Sequence, residues 1–141
     1  MIDVSELQCR MLGELEELRD ENIFSLLNTI FFDCSDTTSA PNVQAAVTGL
    51  VANGDLHIGT EAYDPRKKVV LFENADAVAF ASRISEWLAY DEAKNEWTLA
   101  RGDIKVDPIP LLVLTEQGLA AARRLLGSRG YRWWDITDKK H

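Results

Sequence analysis

The chain has 141 residues, of which 46% are hydrophobic and 27% charged, with a formal net charge of −8. That length supports one domain with a single sizeable core, and the composition excludes a disordered, collagen-like or disulfide-stapled chain. No apolar run approaches the length of a bilayer span, Met1 to Gln8 lack a secretion-signal pattern, and Cys9 and Cys34 fit free thiols, so the cytoplasm is the expected compartment.

In chain order, Ser5 followed by Gln8 has the form of a capping box, and Leu7, Met11, Leu15 and Leu18 recur behind it at helical spacing. Asp20 is the expected cap of a second helix whose Ile23, Phe24, Leu26, Leu27, Ile30 and Phe31 span more than one stripe, which predicts burial on several sides. Asp33 to Ala40 is a run of turn and cap formers. Pro41 then opens a third helix on which Val43, Ala46, Val47, Leu50 and Val51 share one face, and Gly54 is placed to end it in a left-handed conformation. Leu56 to Ile58 alternate as a short strand, Asp64 to Lys67 suit a turn, and Val69 to Phe72 suit a returning strand.

Asn74 is the expected cap of a further helix from about residue 75 to 89, with Val78, Ile84, Trp87 and Leu88 packing back on the body. Trp97 to Leu99 predict a strand after a polar turn, and Leu111 to Leu114 another. Thr115 is the natural cap of a last helix carrying Leu119, Ala122, Leu125 and Leu126 up to Gly127, followed by an aromatic tail from Tyr131.

The order of VQAAVTGLVANGDL, DPRKK and LTEQGLAAARRLL resembles the winged helix-turn-helix superfamily, loosely the multiple-antibiotic-resistance regulator family. The resemblance implies an α+β winged-helix domain over residues 1–141: a helical core with its first strand (1–58), a short hairpin wing and a helical insertion (59–110), and a last strand, helix and tail (111–141). It also implies a non-enzymatic transcriptional regulator that meets double-stranded DNA as a homodimer. By position, Asn42, Gln44, Ala45 and Thr48 would face the major groove and Arg66, Lys67 and Lys68 the phosphates.

The charge pattern opposes that use. Residues 1–64 hold 2 basic and 12 acidic side chains, residues 65–141 hold 13 and 11, and no Lys or Arg lies between Asp33 and Glu61. Lys and Arg supply most phosphate contacts and the commonest base contacts. The alternative is a winged-helix protein-interaction module that binds no DNA.

Arg123, Arg124, Arg129 and Arg132 alternate with Tyr131, Trp133 and Trp134 in the most basic part of the chain. Three uses stay open: the tryptophans fold back to close the core, Tyr131, Trp133 and Trp134 form a protein interface such as a dimer contact, or the aromatic rings stack on nucleobases. His57, near Asp55 and Glu61, and Cys34 match no metal-ligand spacing, so no metal or cofactor is expected. No phosphate loop, nucleophile elbow or HExxH motif is present, and no catalytic residue is assigned.

Overall fold

A computed structural model of the chain describes residues 1–32 and 34–135; Asp33 and residues 136–141, the end of the predicted tail, lie outside the described part. The chain is α+β. Helices α1 (Val4–Leu18), α2 (Ile23–Ile30) and α3 (Ala40–Ala52) are followed by strand β2 (Leu56–Glu61), and the chain closes with strand β6 (Ile109–Leu114) and helix α5 (Glu116–Arg129). A three-residue strand β1 (Asp20–Asn22) separates α1 from α2. Residues 62–108 carry strand β3 (Val70–Leu71), helix α4 (Asn74–Ala81), a 3-10 turn (Ile84–Trp87) and the hairpin of strands β4 (Leu88–Asp91) and β5 (Glu96–Leu99). Among the described residues no helix is long and apolar enough to cross a membrane.

Helix α1 buries Leu7, Met11 and Leu15 completely, as their spacing requires. Its cap is Asp3, whose side chain accepts from the Glu6 N–H at 2.7 Å, and not the Ser5 of the apparent capping box. Arg19 ends the helix in a left-handed conformation (φ 71°), and Asp20 enters β1 instead of capping α2. Asn22 performs that capping, accepting from the Ser25 N–H at 2.9 Å.

The sheet runs β1-β6-β2-β3, every pairing antiparallel. Apolar β6 lies between β1 and β2, with Glu21 opposite Leu112 on one side and Ile58 opposite the same residue on the other. Pro110 is accommodated because β1 reaches only as far as Leu111, so a partner strand flanks the proline on one side alone.

Gly54 has φ 84° and closes a Schellman motif: its N–H donates to Val51 O at 3.1 Å, and the Asp55 N–H to Leu50 O at 2.9 Å. The start of α5 locks onto this turn. Thr115 Oγ1 accepts from the Gly118 N–H (3.0 Å) and donates to Gly54 O (2.6 Å), and Gln117 donates to Asn53 O (2.7 Å) and to the buried Asp55 carboxylate (3.0 Å). The two most regular stretches of the sequence therefore meet at one polar junction. Helix α5 passes through Gly127 and ends at Gly130.

The excursion between β2 and β6 departs most from its expected form. The helix predicted over 75–89 is broken up: α4 stops at Ala81, Ile84–Trp87 form the 3-10 turn, and Leu88 and Ala89 belong to β4. Asn74 does not cap it; Glu73 holds the cap position without a side-chain bond. The β4–β5 hairpin is held on α2 by Asn28, which accepts the Trp97 N–H (2.6 Å) and donates to Trp97 O (3.0 Å). One amide side chain thus reproduces the hydrogen-bonding edge of a strand.

Candidate functional site

Three surfaces collect the residues singled out by the sequence. The first is α3. Packing of α1, α4, the 3-10 turn and β2 around this helix leaves Pro41, Ala45 and Ala52 as its exposed positions. Gln44 Oε1 accepts two hydrogen bonds from Ser85 in the excursion, from its N–H at 3.1 Å and its hydroxyl at 2.6 Å. The Thr48 hydroxyl is enclosed, with no hydrogen-bond partner among the described residues. Asn42 is half-buried and its side-chain amide lies 3.3 Å from Met1 Sδ. Of the four positions that would meet base edges, Ala45 alone stands open to solvent.

The second surface is the expected wing, formed by β2, the turn after it and β3. Gly59 permits the close approach of these strands, because a Cβ there would lie only 1.9 Å from Val70 O. Arg66, Lys67 and Lys68 are exposed at the turn. Arg66 is spent locally on a two-point bond to Asp64, both contacts at 3.1 Å, and that guanidinium holds the Asp64 carboxyl below its ordinary range. Lys67 and Lys68 have no carboxylate within ion-pair distance among the described residues. Tyr63, Val69, Val70 and Leu71 are exposed beside them.

The third surface is the C-terminal segment, where the structure joins the two charge populations that the sequence separates. Arg123 pairs with Glu16 (3.6 Å), Arg129 with Glu6 (2.9 Å) and Arg132 with Glu14 (2.8 Å). Much of the acidic face of α1 is therefore neutralised within the chain. Trp134 is buried and donates to Ile30 O at 3.0 Å, while half-buried Trp133 donates to Glu6 Oε2 at 3.0 Å. Of the three aromatic residues, Tyr131 is the one left exposed, with the Arg132 guanidinium 5.1 Å from its ring centre.

Beneath the tail lies a polar cluster that sequence reading missed. Buried Arg10 bonds Glu6 (2.9 Å) and Asp36 (2.8 Å), and its guanidinium lies 5.7 Å from the centre of the Trp134 ring. The hydrogen bond from Arg10 holds the Asp36 carboxyl below its ordinary range. At Glu6 burial pushes upward, but the bonds from Arg10, Trp133 and Arg129 outweigh it and the net shift is also downward. Carboxyls depressed on folding contribute stability that is present above their unfolded values and lost as pH falls through the folded ones. The contribution of these two carboxyls is accordingly expected to hold from neutrality to about pH 5 and to be lost below it, so the fall of the urea midpoint in acid should be shallower in Asp36→Asn than in the parent protein.

An open cleft of about 1050 Å³ lies between α4 and the loop before β6. Phe72, Phe80 and Trp87 give it an aromatic wall, the successive rings 4.8 and 6.0 Å apart between centres. Its charges are mixed: Arg83 is bonded to Glu86 at 3.2 Å, and Asp107 accepts from the Asp103 N–H at 2.8 Å. The wall can hold an apolar group, and among the described residues the lining holds no Ser, Cys, His or Lys side chain. Among the described residues no three His, Cys, Asp or Glu side chains converge on a metal-sized site. Compared with known proteins, the chain matches no family model, no curated protein and no solved structure.

Proposed function

We propose that this chain is a non-enzymatic winged-helix protein-interaction module whose third helix does not read DNA. The winged-helix part of the reading is supported by the order of three helices followed by β2 and β6, with β1 flanking β6 in the four-stranded sheet and the excursion standing where a simple wing would turn. The observation that carries the interaction part is the capture of Gln44 by Ser85. A base-reading helix needs its polar side chains free to meet the major groove, and here the excursion holds Gln44 through Ser85. The absence of Lys and Arg from Asp33 to Glu61 leaves the same helix without the groups that neutralise phosphate. The exposed apolar side chains of the wing offer a contact surface of protein character.

The test is fluorescence anisotropy of labelled random-sequence duplex DNA titrated with the protein at low and at moderate salt. No binding at low salt is expected. Binding that weakens steeply with salt and is lost in the Arg66→Ala, Lys67→Ala, Lys68→Ala triple variant would overturn the reading and make the chain a DNA-binding regulator.

A further inference from the structure

Among the described residues, strand β3 ends the sheet with one side unpaired. Phe72 donates its N–H to Ile58 O at 2.9 Å, so by the alternation along an antiparallel strand the N–H and C=O groups of Leu71 and Val69 point away from β2. The side chains there are apolar and uncovered: Tyr63 is 70% exposed, Val69 53%, Val70 50% and Leu71 46%. Soluble proteins usually blunt such an edge with charge or cover it. Here the flanking charges have opposite signs, exposed Lys67 on one side and exposed Glu73 on the other, and the Glu73 carboxylate makes no capping bond to α4.

The geometry points to a second copy of this chain as the occupant of that edge, pairing β3 with β3 antiparallel about a two-fold axis. Only registers that set outward-facing residues opposite one another can exchange hydrogen bonds. In the register centred on Val70, Val69 faces Leu71 of the partner subunit, and extension of the ladder past the two residues of β3 on pairing sets Lys67 opposite Glu73 of the partner subunit. Two-fold symmetry makes each of these contacts twice. At the outward-facing positions apolar meets apolar and Lys67 meets a carboxylate, Lys68 falls opposite Phe72 of the partner subunit, and the two four-stranded sheets become one. Centring on Leu71 instead would put Val69 against a carboxylate, and centring on Val69 would put Leu71 against a lysine. The segment is thus self-complementary in one register, which a surface for an unrelated strand has no need to be.

The inference builds on the interaction reading by naming the partner at the wing, yet the two fail separately, since the DNA titration decides the first and oligomeric state the second. Sedimentation equilibrium over a range of concentrations should give a reversible dimer. Lys67→Glu and Glu73→Lys each place like charges opposite one another twice, and each should raise the dimer dissociation constant about tenfold. The double variant Lys67→Glu/Glu73→Lys restores opposite signs and should return it close to the original value. All three changes lie on exposed side chains, and unchanged circular dichroism would show that folding is intact. A monomer at every concentration, or a dimer indifferent to the single swaps, would overturn the proposal.

Discussion

Trp134→Ala is expected to destabilise the protein by about 3–5 kcal/mol, well beyond the loss from breaking an exposed ion pair. The ring is 6% exposed, stands edge-on to Trp133 with centres 4.7 Å apart, and lies under the Arg10 guanidinium. Its indole N–H also serves the carbonyl of Ile30 at the last residue of α2, where a helix leaves acceptors unpaired. Removing the side chain empties the space below the tail and leaves that buried carbonyl without its donor. Trp134→Phe retains most of the packing and should lose about 1–2 kcal/mol, mainly the hydrogen bond. Urea unfolding followed by far-ultraviolet circular dichroism measures both. A loss below about 1 kcal/mol for Trp134→Ala would mean that the tail does not close the core.

Arg10→Ala is expected to cost about 3 kcal/mol, the lower end of the range for breaking a buried ion pair. The lower end applies because Asp36 is partly exposed and Glu6 keeps its bonds to Arg129 and Trp133. Arg10→Lys should rescue little, since one ammonium group cannot reproduce the fork that reaches Glu6 and Asp36 from separate nitrogens. Arg10 and Trp134 share a contact, so the double variant Arg10→Ala/Trp134→Ala should lose less than the sum of the single losses. Strict additivity in the same urea experiment would show that the guanidinium and the indole act independently.

The parts of the fold legible in the sequence are those fixed by local pattern. The apolar face of α3, its glycine stop, β6 and the Thr115 cap follow from spacing and capping chemistry within a few residues. Strand β1 was not legible because Asp20 to Asn22 carry no strand signature; their conformation comes from pairing with β6, distant in sequence. The helix expected over 75–89 failed for a similar reason, since Leu88 and Ala89 are drawn into pairing with Leu99 and Thr98.

The same division holds for the candidate site. Exposure of Arg66, Lys67 and Lys68 could be anticipated from a charged turn, and a buried tryptophan from its ordinary fate in a small domain. What could not be anticipated is the bond from Ser85 to Gln44, because nothing near either residue signals the other. Nor does the uneven charge along the sequence reveal that α5 and the segment after it lie beside α1, where Arg123, Arg129 and Arg132 meet Glu16, Glu6 and Glu14.

Glu61 and Ile109, the residues at which the chain leaves and re-enters the sheet, are paired neighbours on β2 and β6. Residues 62–108 therefore form a cassette sewn between the ends of what would otherwise be an ordinary hairpin. The entropy of closing such a loop rises only with the logarithm of its length, so the polymer physics of the smaller body hardly registers the added segment. Its costs and benefits lie in contacts: excising it would leave the strand register closable by a short turn, while stripping α2 of the hairpin held by Asn28 and opening the face of α3 that the excursion now occupies.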